Sequence, residues 1–255
     1  MADRQDYIAV FDSGVGGISV LSQLCKLMPN ERFLYYGDNA NAPYGTRTTE
    51  DVRRLTLQAV AALRKRNVKA FVIACNTATA AAVNDLRKAY PDTIIIGIEP
   101  ALKLAADHYP DARVGVLATP LTLKEEKFAN LAERFPQMQV HSIPLPGLVE
   151  RIEAGCDNRE LETFLRPTLA PYAGKLDAVV LGCTHYPFAA EAIRALLGQN
   201  VAILDGSLGT ARETRRRLAK ANLLFDGPGV LSLECSSGDS AFLNHCADLL
   251  QRSLG

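Results

Sequence analysis

Ala70-Phe-Val-Ile-Ala-Cys75-Asn76-Thr77-Ala-Thr79 and Ala178-Val-Val-Leu-Gly-Cys183-Thr184-His185-Tyr-Pro187 share one pattern. Each is an apolar run of strand length that ends on a cysteine and passes at once into small hydroxyl or amide residues. A strand that is apolar without alternation is buried on both faces, as an inner strand of a helix-covered parallel sheet must be. Open α/β sheets hold their ligands at the carboxyl ends of such strands. The two cysteines therefore fall where chemistry is expected. Two of them in one chain predict two thiols facing one substrate, one as base and one as acid on opposite faces of a carbon.

Working outward, apolar runs alternate with helical periods along the whole chain. Strands are expected at Tyr7–Asp12, Phe33–Gly37, Ala70–Ala74, Ile94–Ile98, Arg113–Ala118, Gln139–Ile143, Ala178–Gly182, Val201–Asp205 and Val230–Cys235. Helices are expected between them, including Thr49–Lys65, opened by the capping signal of Thr48 and Asp51, and the alanine-rich Thr77–Tyr90. The offsets Ile8 to Val114, Phe33 to Val140 and Cys75 to Cys183 are 106, 107 and 108 residues, which predicts a duplicated unit. The fold class is thus α/β, with two pseudo-symmetric domains of mainly parallel sheet and an active site expected in the cleft between them. The first domain is expected to take residues 1–97 plus 210–255, the last stretch completing its edge, and the second residues 98–209.

Composition narrows the function. Of 255 residues, 48% are apolar and 22% charged, with 28 Lys plus Arg against 28 Asp plus Glu, so nothing draws the whole chain toward nucleic acid. The basic runs Arg64-Lys65-Arg66 and Arg215-Arg216-Arg217 read as solvated helix ends. No apolar stretch reaches the roughly 18–20 residues that span a bilayer. With a strand expected from Tyr7, no signal peptide is expected ahead of it, so we read a cytoplasmic protein with no membrane partner. In that compartment six cysteines argue against a disulfide framework. No C-x-x-C occurs, and Cys235, His245 and Cys246 match no common zinc spacing, so no metal is expected. Either a monomer or a homodimer fits the chain.

Free cysteine is often a buried hydrophobe, and each thiol alone could be that. Position favours chemistry: each follows a complete strand and precedes an expected helix start, where backbone N–H groups and the helix dipole favour thiolate. The loop Asp12-Ser13-Gly14-Val15-Gly16-Gly17 lacks the third glycine of a dinucleotide fingerprint, since Ser19 stands there. It reads as a tight turn or a backbone cradle for a small anion, with Asp12 able to hold an ammonium or bias a thiol. Pro43-Tyr44-Gly45 lies in a turn after the second strand. Thr119 and Thr122 flank a helix start, one of them as N-cap. His185 is expected to tune Cys183, with Glu150 fixing the imidazole's tautomer.

These residues together resemble the cofactor-independent aspartate/glutamate racemase family, nearly end to end. The motifs that carry the likeness are Asp12-Ser-Gly-Val-Gly-Gly17, Tyr36-Gly-Asp38, Pro43-Tyr-Gly45, Ala74-Cys-Asn-Thr-Ala78, Gly147-Leu-Val-Glu150, Leu181-Gly-Cys-Thr-His-Tyr-Pro187 and Ser237-Gly-Asp239 followed by Phe242. The resemblance implies cofactor-free interconversion of L- and D-glutamate, with Cys75 and Cys183 as the acid/base pair. It implies that Asp12, Ser13, Pro43, Tyr44, Gly45, Asn76, Thr77, Thr184 and His185 line the substrate site, and that Thr119 and Thr122 add hydroxyls. Leu121 stands where the family commonly has glycine, and Glu126 and Phe128 where it often has serine and tyrosine. Cys25, Cys156, Cys235 and Cys246 fall outside these motifs and read as structural. The alternatives are a racemase of the same family acting on aspartate or a related amino acid, a dicarboxylate-binding protein, and, further off, a redox thiol protein.

Overall fold

The computed structural model describes residues 2–98, 101–124 and 133–254. The chain forms two compact units, Met1–Ile98 with Ser207–Gly255, and Glu99–Gly206. The first holds strands β1 (Tyr7–Asp12), β2 (Arg32–Gly37), β3 (Val68–Ile73), β4 (Ile94–Gly97) and β9 (Val230–Cys235), in the order β4-β3-β1-β2-β9. The second holds β5 (Arg113–Ala118), β6 (Gln139–Pro144), β7 (Ala178–Leu181) and β8 (Ala202–Asp205), in the order β6-β5-β7-β8. Every pairing is parallel. Among the described residues no helix is long and apolar enough to cross a membrane.

Burial explains the composition of the strands. All of β7 is buried, as are β1 and β3 beyond their first residues, and these inner strands are apolar apart from Asp12 and Lys69. At the edges, β9 and β6 are largely open and their sequences are correspondingly mixed. The helices begin and end for local reasons. Thr48 accepts the N–H of Asp51 through its side chain and opens the helix Thr49–Leu63. That helix stops short of Lys65: it tightens into a 3₁₀ turn at Arg64–Arg66, which Asn67 closes in the left-handed region at φ 53°.

The sequence repeat is a repeat of register. In the first sheet Ile8 lies opposite both Phe33 and Ala70. In the second, Val114 lies opposite both Val140 and Ala178, the residues 106, 107 and 108 positions further on. Strand order repeats as well, since β4-β3-β1-β2 maps onto β8-β7-β5-β6, and β9 is the addition at one edge. The correspondence continues past the strand ends. Ala74 N donates to Phe11 O at 2.8 Å, and its counterpart Gly182 N donates to Leu117 O at 2.7 Å. One residue beyond each of these bonds stands a cysteine.

At the opposite end of the first sheet, β3 carries a lysine inside its apolar run. Lys69 is 1% exposed and spends its three donors on Glu31 Oε2 at 2.6 Å, Arg4 O at 2.6 Å and Leu223 O at 3.0 Å. Glu31, also buried, accepts the Phe225 N–H at 2.9 Å through its other oxygen. The pair thereby binds the amino-terminal segment and the chain leading into β9 to the start of the sheet. A buried ion pair stripped of one partner leaves an uncompensated charge, which costs about 3–5 kcal/mol. Lys69→Met is therefore expected to lose about that much in urea unfolding, and adding Glu31→Gln should recover part of it. A loss below about 1 kcal/mol in the single variant would show that the pair does not hold the segments together.

Candidate active site

In the first unit, Cys75 is the N-cap of the helix Asn76–Ala89, its sulfur accepting the Ala78 N–H at 3.4 Å. Ser13 Oγ lies 3.7 Å from the same sulfur, and both residues are buried. Asp12 ends β1 and is fully buried. Its carboxylate accepts the Gly14 N–H at 2.8 Å, so the glycine loop turns around a carboxylate of its own and that N–H is not part of an anion cradle. Gly17 makes the close turn possible, because a Cβ there would stand 2.6 Å from the Cβ of Asp12.

The loop after β2 is more than a surface turn. Tyr44 is 1% exposed and donates its hydroxyl to Asp38 Oδ2 at 2.6 Å, and Asn41 Nδ2 donates to Asp38 Oδ1 at 3.0 Å. Burial first, then the Asp38 bond and the negative charge of Asp38, Cys75 and Asp12, push the Tyr44 phenol far above its ordinary 10.0. It stays a neutral donor within electrostatic reach of both Cys75 and Asp12. Pro43 and Gly45, partly buried, flank it. Thr77 is buried beside Asn76 in the first turn of the helix. Asn76 is 5% exposed, and among the described residues neither its amide nitrogen nor its amide oxygen has a hydrogen-bond partner. Buried amides are rarely left so, and an unused donor and acceptor side by side mark a place for a ligand that offers both.

The second unit dresses its thiol differently. Cys183 follows β7, but the chain next makes a 3₁₀ turn at Tyr186–Ala189 before the α-helix Ala190–Leu197, so the expected direct helix start is absent. His185 takes the place of the cap. Its Nδ1 lies 3.7 Å from Cys183 Sγ, and its Nε2 lies 2.6 Å from Glu153 Oε1. His185 is 2% exposed. Burial works against its charge, but the hydrogen bonds to Cys183 and Glu153 and their negative charge outweigh it, holding the imidazole well above its ordinary 6.5. In the charged form both ring nitrogens donate, one to sulfur and one to the carboxylate.

This corrects the expected partner. Glu150, on the helix Leu148–Glu153, is exposed, and the carboxylate that reaches His185 is Glu153, three residues further along the same helix. Glu150 acts instead with Cys183 on Tyr186, whose phenol is raised well above 10.0 by burial first and by those two charges next. Tyr186 donates to Leu145 O at 3.1 Å. Thr119 is the capping member of its pair, accepting Thr122 N–H at 3.2 Å, with the two hydroxyl oxygens 2.9 Å apart. Thr184 is buried next to Cys183, Leu121 is partly buried, and Glu126 and Phe128 lie outside the described residues. Among the described residues no group of three or more His, Cys, Asp or Glu could hold a metal ion.

Sequence reasoning thus missed Glu153, Asp38 and Tyr186 as members of the two clusters. The helical spacing of Glu150 and Glu153 was the available signal for the first, and the fixed neighbourhood of Tyr36-Gly-Asp38 and Pro43-Tyr-Gly45 for the second.

Similarity to known proteins follows the same lines. Residues 18–214 match the family model described as Asp/Glu/Hydantoin racemase. The glutamate racemase of Clostridium botulinum (strain Alaska E43 / Type E3) is 45% identical over 251 residues, covering 96% of this chain and 97% of that protein. The crystal structure of glutamate racemase from Thermus thermophilus in complex with β-chloro-D-alanine superposes with a TM-score of 0.83 at 35% identity, over 99% of this chain and 96% of that one. The Francisella tularensis subsp. tularensis SCHU S4 glutamate racemase in complex with D-glutamate does so with a TM-score of 0.85 at 28% identity, over 97% and 94%. With two all-parallel sheets, a cysteine at the same step of each, and this breadth of likeness, the chain belongs to the Asp/Glu/hydantoin racemase family.

Proposed function

We propose that this enzyme interconverts L- and D-glutamate without a cofactor, using Cys75 and Cys183 as its acid/base pair. The observation that carries the reading is the repeated thiol: one step past register-equivalent ladder bonds, each sulfur is buried and within hydrogen-bond reach of a polar side chain. The α-hydrogen of an amino acid is weakly acidic, so its removal needs a positioned base and stabilisation of the charge left behind. For L-glutamate, Cys183 as thiolate takes the α-proton and Cys75 as thiol returns one to the other face. The products are D-glutamate, a Cys183 thiol and a Cys75 thiolate, and the reverse reaction retraces the path.

The glutamate assignment draws on the glutamate racemase of Clostridium botulinum, at 45% identity, and on chemistry present in the chain. An α-amino acid brings a carboxylate and an ammonium, the acceptor and the donor that the Asn76 amide lacks. Asp12, Ser13, Tyr44, Thr77, Thr119, Thr122 and Thr184 add buried polar groups for the remaining oxygens and the ammonium. Enantiomers have equal free energy in water, so net flow toward D-glutamate depends on a reaction that consumes it, for which we propose assembly of peptidoglycan precursors.

Incubation with L-glutamate in D₂O is expected to yield D-glutamate carrying deuterium at the α-carbon, with Cys75→Ser and Cys183→Ser each losing at least about 10³-fold in turnover. Racemisation retained in both variants would sink the two-thiol mechanism. Exchange with another amino acid but not with glutamate would move the substrate.

The His185 cluster makes a separate prediction. Because the folded value is raised, the charged imidazole stabilises the protein fully below the unfolded value of 6.5, and that contribution fades as pH climbs through the folded value. Glu153→Gln is expected to shift the His185 ring titration downward in NMR. The stability gap between wild type and variant should be widest below pH 6.5 and narrow at higher pH. An unchanged titration would show that Glu153 does not hold the charge.

A further inference from the structure

Ser237-Gly238-Asp239 and Phe242 take no part in the chemistry above, yet the structure gives each a definite task. After β9 the chain turns through Gly238 at φ +71°, a conformation that favours glycine. Asp239 Oδ1 accepts the Ala241 N–H at 2.8 Å and starts the helix Ser240–Leu254. Ser237 Oγ accepts from Asp239 N at 3.1 Å and from Asn39 Nδ2 at 2.8 Å. Asn39 Oδ1 in turn accepts from Ser237 N at 3.2 Å and from Ser236 Oγ at 3.4 Å. Ser236 Oγ accepts from Ala40 N at 3.0 Å, and Ser236 N donates to Gly37 O at 2.9 Å. Phe242, 9% exposed, lies against the bare face of Gly37, where a Cβ would stand 2.7 Å from its ring and 3.2 Å from Gly14 O.

The contacts made to Gly37, Asn39 and Ala40 fall on the entrance to one segment. Residues 38–47 have only two 3₁₀ turns, Asn39–Asn41 and Tyr44–Thr46, and they carry Pro43-Tyr44-Gly45. Asp38 fixes that segment from within through Tyr44 and Asn41, and Arg47 closes it by donating to Asn41 O at 2.7 Å. From outside it is gripped by the turn that follows β9. A loop ordered before its ligand arrives removes the ordering cost from binding.

We propose that the Ser236–Ser237 turn is a clasp, with Asn39 as its keystone, that positions the 38–47 loop for the amino-acid substrate. Asn39, Ser236 and Ser237 are positioning residues, acting through Pro43-Tyr44-Gly45. The proposal rests on the reading that this tripeptide contacts glutamate. It gives the carboxyl-terminal stretch a role in substrate affinity in addition to its role as a sheet edge.

The test uses the full chain with Asn39→Ala, Ser237→Ala and the conservative Ser237→Thr, alongside Gly45→Ala. Amide hydrogen exchange across residues 38–47 reads the clasp directly, and racemisation kinetics in both directions read its consequence. Each alanine variant of the clasp removes hydrogen bonds worth a modest net amount, so KM is expected to rise about three- to tenfold with kcat little changed. Exchange within 38–47 should quicken while the melting temperature stays close to wild type, and Ser237→Thr should restore both readouts. Wild-type exchange and wild-type KM in both alanine variants would overturn the clasp. Faster exchange with KM unmoved would overturn its positioning role. In that case a raised KM in Gly45→Ala would locate the error in the clasp alone, whereas unchanged kinetics there would show that the tripeptide does not contact glutamate.

Discussion

Everything proposed for this chain depends on where its inner strands stop. In a parallel sheet all strands enter at one end and leave at the other, so residues that follow the last ladder bond are delivered to one rim. Here that bond is made twice, Ala74 N to Phe11 O and Gly182 N to Leu117 O, and the next residue each time is a cysteine. Gly182 shows how tight the step is: a Cβ would stand 2.9 Å from the Cβ of Ala118 and 3.2 Å from Leu117 O. A slip of one residue would turn each thiol in another direction. The close seat of Gly182 against Ala118 opposes such a slip in β7, because either neighbouring residue would bring a side chain into it.

Duplication repeated the frame and left the dressing free to diverge. The register equivalents of Ser13, Asn76 and Thr77 are Thr119, Thr184 and His185, following the offsets of the paired strands. The Ser13 hydroxyl and the Ala78 N–H stand next to Cys75. Cys183 has a buried imidazole held toward its charged state by Glu153. The two sulfurs therefore have unequal neighbours, a charged imidazole beside Cys183 and a hydroxyl beside Cys75. The same inequality fits a substrate that is itself asymmetric, with its ammonium, α-carboxylate and side-chain carboxylate each needing different partners.

The frame was legible because burial writes itself into composition. Unbroken runs such as Ala70–Ile73 and Ala178–Leu181 admit few readings besides inner strands, and their matching offsets exposed the duplication before any coordinates. Polar pairings were less legible, because they depend on side-chain direction in three dimensions. Glu150 and Glu153 lie on the same short helix, and only the packing of that helix selects Glu153 for His185. Lys69 sits in a strand that pattern alone would keep apolar. Its partners Arg4, Glu31 and Leu223 come from three distant stretches, so no local window could reveal why the lysine is tolerated.

The carboxyl-terminal stretch joins these lines of reasoning. Among the described residues the first sheet has a fifth strand for which the second has no counterpart, and an edge strand alone would need only to pair with β2. Instead the chain continues through a glycine turn, spends two serines on Asn39, and sets an aromatic ring on Gly37. Lys69 and Glu31 meanwhile tie down the segment that leads into β9, at the far end of the sheet. The strand is therefore fixed at its entrance by a buried ion pair and delivers its exit to the loop that carries Tyr44. A hydrophobic core could stabilise the fold without either feature. Ordering the polar loop at the sheet's carboxyl rim, the role proposed for the turn after β9, gives both features one purpose.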